Sequence, residues 1–347
     1  MEKKNNTGLI IFIVLFALAV AVGITQTIIT VVQNNKASED VITTEKAVSP
    51  FVSSNKKKDN DADKTKTPKK PYYAKLQIEG TIQEENQTYN QKWLLSTIDR
   101  LEKDSNNKGI ILFMDSPGGT VYESDEAYLR LMKYKENTGR PVYAYFGKLS
   151  CSGSYYISCS ADYIMANRNC LTGSIGVISG QFIDLTGLME KYGVKATTIH
   201  SGRNKTMGNY STPMTEEQRQ IMQSISDECY QQFTSIVADS RKMTLTKVYQ
   251  LADGRVYTAK QAKSNGLIDE VGEYDDLITY IQNEKNEGEK INVVNFAYER
   301  EESFYDKLMN SKTSASSPEA AVAEELKNLV ETDVPFPAYY FDTKAFF

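Results

Sequence analysis

The alternation of apolar and polar positions changes character several times along the chain. No charged residue occurs from Asn5 to Gln33, and Gly8 to Val32 is apolar apart from a few Thr and one Gln. At about 1.5 Å of rise per residue, such a run covers the roughly 30 Å hydrocarbon core of a bilayer. The pattern predicts one transmembrane helix over residues 8–32, with residues 1–7 cytoplasmic because Lys3 and Lys4 precede the span. A cleaved secretory signal is the rival reading, since Ala19-Val20-Ala21 offers a small-x-small site. The length of the run, still apolar at Ile28, Ile29 and Val32, favours a retained anchor with the rest of the chain outside the cytoplasm. Residues 33–70 hold mostly Asn, Ser, Thr, Lys and Asp and read as a flexible extracytoplasmic tether. Asp59, Asp61 and Asp63 follow Lys56-Lys57-Lys58 closely, which favours a solvated linker over a lipid-seeking basic patch.

From residue 71 to about 290 the pattern becomes that of a folded body. Tyr72 to Ile82 alternates toward a strand ending at Gly80, and Trp93, Leu94, Ile98 and Leu101 then recur at helical spacing. Ile110 to Met114 is a continuous apolar run of the kind buried on both faces of a parallel sheet. The order repeats: helix Glu123 to Lys135, strand Val142 to Phe146, helix Ser152 to Ser160, strand Tyr163 to Ala166, helix Leu185 to Tyr192, strand Ala196 to His200. Such alternation predicts an α/β architecture with right-handed crossovers. A long helix opens at Thr215, and Ile221, Met222, Ile225, Cys229, Phe233, Ile236 and Val237 fall on one face of it, as core or subunit interface. Residues 291–347 form a C-terminal extension with a helical piece, Ala320 to Val330, and a Pro- and aromatic-rich end, Val334 to Phe341.

Composition narrows the chemistry. A net charge of −5, spread evenly, gives no reason to expect nucleic acid as a partner. One His and four scattered Cys leave no multi-His metal site and no zinc cluster, so neither a metal nor a cofactor is expected. Two glycine-rich turns follow apolar strands. Asp115-Ser116-Pro117-Gly118-Gly119 can present backbone N–H groups without side-chain bulk, or it is an ordinary connection. In Ser150-Cys151-Ser152-Gly153-Ser154-Tyr155-Tyr156 a serine begins a helix, where it serves either as an N-cap or as a nucleophile whose oxyanion sits beside the N–H of Gly153. A nucleophile needs a base. His200 is the single imidazole, and Lys205 follows in Ser201-Gly202-Arg203-Asn204-Lys205; a lysine serves when desolvation makes its neutral amine available.

Taken together, these residues resemble the signal peptide peptidase A family of membrane-anchored Ser-Lys peptidases, in its short single-copy Gram-positive form. The resemblance runs from about residue 72 to 275 through Asp115-Ser116-Pro117-Gly118-Gly119, Ser152 to Ile157, Leu171-Thr172-Gly173-Ser174-Ile175-Gly176-Val177, Ser201-Gly202 to Lys205, Asp253-Gly254-Arg255-Val256-Tyr257, Ala262 and Gly266-Leu267-Ile268-Asp269. It implies that Ser152 is the nucleophile, Lys205 the general base, Ser174 the residue that orients the lysine amine, and the N–H groups of Gly119 and Gly153 the oxyanion hole. It also implies the crotonase/Clp-protease-like fold, and a homo-oligomeric ring or dome whose neighbouring protomers build the substrate grooves. The implied activity is that of a serine endopeptidase, fixed by one span to a bacterial cell membrane, that degrades residual signal peptides and small misfolded secreted proteins. The chain departs from the family's usual Ala-Ser-Gly-Gly with Cys151-Ser152-Gly153-Ser154, where Ser154 is expected to narrow the site and Cys151 is read as a packing residue in place of a rival nucleophile. Cys159 and Cys170 are read as free, buried thiols in preference to a disulfide.

Two other classes fit less well. A crotonase-like acyl-CoA enzyme would meet no CoA outside the cell, and no acidic base stands beside Gly119 or Gly153. A catalytically silent peptide-binding scaffold has no need of both Ser152 and Lys205, and an active-site-directed fluorophosphonate would leave it unlabelled. The aromatic end is expected either to dock in a groove and shield the site or to pack on the oligomer surface.

Overall fold

The computed structural model describes residues 68–285 and 290–300, together with the backbone of a short strand at 338–340. The predicted membrane span at 8–32, the N-terminus at 1–7, the tether up to residue 67 and the helical piece at 320–330 lie outside the described residues. So does the aromatic end apart from that strand. No helix among the described residues is long and apolar enough to cross a membrane.

A mixed eight-stranded sheet organises the body. The strands β1 (Tyr72–Glu79), β2 (Asn107–Ser116) and β4 (Val142–Cys151) run parallel at its centre. Their middle positions are buried, as the continuous apolar runs require of strands covered on both faces. β4 is long enough to pair twice: its first half with β5 (Tyr163–Ala166), its last three residues with β6 (Leu171–Gly173). β7 (Val256–Thr258) closes one edge antiparallel to β6, and β8 (Glu270–Val271) pairs with β5. The other edge is β9 (Val293–Phe296), parallel to β1, so the sheet continues past residue 290 and the C-terminal extension lends it a strand.

Helices α1 (Gln91–Lys103), α2 (Val121–Thr138) and α3 (Gly153–Ser158) cover one face, and they bury Leu94, Ile98, Leu131, Tyr134, Tyr155 and Tyr156 against it. The long α5 (Glu216–Arg241) reaches that core with Phe233 and Val237, supported by α6 (Leu245–Leu251) and α7 (Ala259–Ser264). On the opposite face, α8 (Tyr274–Lys285) sets Leu277 and Ile281 on Tyr73, Ile111, Tyr143 and Tyr145.

One expected strand does not form. Ala196 to His200 has no regular structure and is exposed, with Ile199 96% accessible, and it follows the short helix α4 (Thr186–Lys191). The alternation in Ala-Thr-Thr-Ile-His suits a strand, but the segment pairs with none of the strands described, and β7 takes the place beside β6. The N-terminus of α5 follows the sequence closely: Thr215 caps it, with Gln218 completing a capping box.

Candidate active site

At the C-terminal ends of β2 and β4 the chain makes two tight corners that face each other. After β2, the Ser116 hydroxyl accepts a hydrogen bond from the Gly118 N–H at 3.1 Å, and residues Gly118–Thr120 form β3. One edge of β3 is clipped to Ile82, whose N–H donates to Gly118 O at 2.8 Å and whose carbonyl accepts from Thr120 N at 2.9 Å. Only glycine fits at 119: a Cβ there would lie 1.7 Å from the Ile82 oxygen. The second edge of β3 takes β10 (Ala338–Tyr340), antiparallel, with Tyr339 opposite Gly119. β10 also touches α2 and α3.

The other corner is the turn from β4 into α3. Ser152 stands there at φ 55° and ψ −119°, a conformation that a residue with a Cβ adopts only where its surroundings hold it. Its side chain does not cap α3, so the N-cap reading of this serine is set aside. The hydroxyl is buried with no hydrogen-bond partner, an orphan that is costly unless it has another use. The Ser152 N–H donates to Gly173 O at 2.8 Å, and the next residue, Ser174, also at positive φ, donates its N–H to Arg255 O at 2.8 Å. The helix α3 packs against β3. Gly119, Ser152, Gly153 and Ser174 therefore gather at one end of the sheet.

Lys205 does not join them within the chain. Its side chain is exposed, in a turn held by Arg203 and Asn204, which both donate to Glu217 on the first turn of α5 at 2.5 and 3.2 Å. No hydrogen bond links it to Ser152 or to Ser174 among the described residues. Within the described residues of one chain, Lys205 is therefore not enclosed beside Ser152. His200 is likewise exposed, with Nδ1 3.1 Å from Gly202 O.

Ser154 does not narrow the site: its hydroxyl turns inward to that of Ser150. Burial pushes the Cys151 thiol well up, with Cys170 adding to it, so the group beside Ser152 is a thiol and no nucleophile at neutral pH. All four cysteines are free, and Cys151, Cys159 and Cys170 are buried. Burial also raises the Asp115 carboxyl, against the pull of Lys148 at 3.3 Å. Other supports went unread in the sequence. Tyr156 donates to Asp125 Oδ1 at 2.6 Å and accepts from Gln232 at 2.7 Å, which ties α3, the helix that follows Ser152, to α2 and α5. Ile82, the clip for β3, carries no chemical signature at all.

A serine at a strand-to-helix corner, facing backbone donors on a glycine strand, is the arrangement of a serine hydrolase. The model of peptidase family S49 matches residues 134–287. A protein of Synechocystis sp. named as a protease is 37% identical over 61% of this chain and 73% of its own length. An Enterococcus faecium protein named for signal peptide peptidase SppA is 36% identical over 61% of this chain and 63% of its own. The chain belongs to peptidase family S49. It spans about six tenths of the length of two relatives it matches. Among solved structures it is similar to a ClpP1 mutant from Listeria monocytogenes, with TM-score 0.39 and 16% identity over 58% of this chain and 92% of that one.

Proposed function

We propose that this chain is a serine endopeptidase in which Ser152 attacks the peptide carbonyl and the N–H groups of Gly119 and Gly153 hold the resulting oxyanion. The observation that carries the reading is the Ser152 hydroxyl, buried and unpartnered on a strained corner between those two glycines. Lys205 takes the serine proton and returns it to the leaving amine, with Ser174 orienting the amine; water then hydrolyses the acyl-enzyme. An exposed Lys205 does this only where a second copy covers it. Its surroundings favour such a copy: Ile183, Leu188, Tyr192, Val194, Ile199 and Tyr210 are all exposed. The homo-oligomer, ring or dome, belongs to the same proposal, as do the crotonase/Clp-protease-like fold, the anchor at 8–32 and residual signal peptides as substrates.

The pairing of β10 with β3 supports an extended substrate bound as an added antiparallel strand, with the chain's own tail occupying the groove. Main-chain hydrogen bonds hold such a strand largely without regard to its side chains, which suits an enzyme that disposes of varied peptides.

The test is hydrolysis of a fluorogenic peptide with small or apolar residues before the bond, from about pH 6 to about pH 10. The oligomeric protein is compared with its Ser152→Ala and Lys205→Ala variants. A rate rising toward alkaline pH, with both variants folded and inactive, is the expected result. Retained activity in Lys205→Ala removes the base assignment, and inactivity of all three with no fluorophosphonate labelling makes the chain a peptide-binding scaffold.

A further inference from the structure

Two hydroxyls beside the nucleophile have no role in the chemistry proposed above. Ser150 and Ser154 lie two residues to either side of Ser152; their hydroxyl oxygens are 2.9 Å apart, and both residues are fully buried. This bond closes a five-residue loop whose middle residue is the one held at φ 55°. Each end of the loop is fastened in turn. Thr172 Oγ1 donates to Ser150 O at 2.6 Å, and Ser158 Oγ donates to Ser154 O at 2.8 Å. At the centre, the Ser152 N–H and carbonyl bond to Gly173 O and Tyr156 N. The Ser152 hydroxyl alone is left without a partner in this loop.

We infer that the Ser150–Ser154 hydroxyl pair is a clamp that keeps Ser152 in its positive-φ conformation, so that its hydroxyl and the Gly153 N–H point into one site. Relaxation of Ser152 to an ordinary φ turns the peptide on either side of it, and that rotation has to change the separation of residues 150 and 154. The bond opposes it. Both serines are positioning residues, acting through Ser152, and the inference rests on reading Ser152 as the nucleophile. A glycine at 154, as in the family pattern this corner otherwise resembles, has no hydroxyl to give, so the clamp is a feature of this sequence.

Buried hydroxyls also pair simply because burial demands it, and a double substitution separates the two roles. Ser154→Ala or Ser150→Ala strands one hydroxyl without a partner, which lowers stability whatever the bond does for catalysis. Ser150→Ala/Ser154→Ala strands none. The measurements are the melting temperature, the peptidase kcat and KM per folded molecule, and the rate of fluorophosphonate labelling, on the full chain, with Ser152→Ala alongside. The clamp predicts that both single variants lose roughly ten- to a hundredfold in kcat and labelling rate at unchanged KM. It predicts that the double variant regains the melting temperature of the parent and keeps the loss of rate. A double variant that regains both overturns the inference, as does a Ser154→Ala labelled at the parent's rate. If Ser152→Ala is labelled as fast as the parent, the nucleophile assignment fails and the clamp falls with it.

Discussion

The corner around Ser152 and the segment around Lys205 are held by opposite means. Residues 150–161 are buried without exception, and backbone or side-chain hydrogen bonds fasten the corner to β6, α2 and α5. The segment from 178 to 215 is mostly exposed; Leu185 N to Tyr210 O and the Ser179–Ser226 hydroxyl contact are among the few bonds that join its parts or tie it to α5. A parallel sheet with helices on both faces can place a serine and backbone donors to within a fraction of an ångström. It cannot desolvate a lysine on a segment that leaves the sheet. The difference divides the proposed site into a half that the fold of one chain preorganises and a half that waits for cover.

The sharpest way to break that division is to truncate one apolar side chain in each part of the helix that joins them. Phe233, fully buried where α5 meets the core, should cost about 3–5 kcal/mol of unfolding free energy when changed to Ala, read by chemical denaturation. Ile225, two turns earlier on the same face and 38% exposed, should cost about 0.5 kcal/mol or less in the isolated chain. Its loss should instead weaken self-association in sedimentation. Equal destabilisation by the two variants would mean that the N-terminal half of α5 is packed within one chain, and the waiting half of the site would disappear.

The second test addresses the preorganised half. A methyl group at 119 collides with the Ile82 carbonyl, so Gly119→Ala must push β3 away from its clip and shift the oxyanion donor. We expect kcat to fall about 10²- to 10³-fold, the range for loss of one such donor. KM for short peptides should rise as well, because the proposed substrate strand pairs with β3. Full activity in this variant would remove Gly119 from the oxyanion hole.

These contrasts also explain what the sequence disclosed. The central strands are legible because burial on both faces demands uninterrupted apolar residues, as in Ile110 to Met114 and Val142 to Phe146. Ala196 to His200 carries the alternation of a strand but pairs with none of the strands described, and pairing is a property of the whole sheet that a five-residue pattern does not contain. Ser152 could not be told from an N-cap by its position; its backbone angle and the idle hydroxyl decide. Lys205 stood out only through the resemblance, since nothing local distinguishes it from other surface lysines, and its exposure in one chain is consistent with that silence. The tail's aromatics left open whether it docks in a groove or packs on an oligomer surface, and the strand its backbone pairs with, the three-residue glycine strand β3, has no hydrophobic signature to read.

A smaller effect concerns the groove. Removal of residues 331–347 takes away the strand that pairs with Gly118–Thr120. A tethered three-residue strand competes weakly but at a high effective concentration, so the truncated protein should turn over short peptides roughly three- to tenfold faster. Unchanged activity would mean that the tail covers nothing the substrate needs.

The smallest effect is expected at Cys151, although it adjoins Ser152, the proposed nucleophile. Burial holds its thiol far above the usual range for cysteine, and the thiolate is the reactive form. Near neutral pH the folded protein should therefore resist alkylation at this position and keep its peptidase rate under iodoacetamide, while the same residue reacts freely once the chain is unfolded. Protection follows the packing of the Ser152 corner. Cys229, half-buried on α5 and also raised by burial but less deeply enclosed, should react first. Mass spectrometry of partially alkylated protein gives the order directly. Modification of Cys151 ahead of Cys229 would show that the corner opens more readily than the helix that leads away from it, and the preorganised half of the site would then be the looser one.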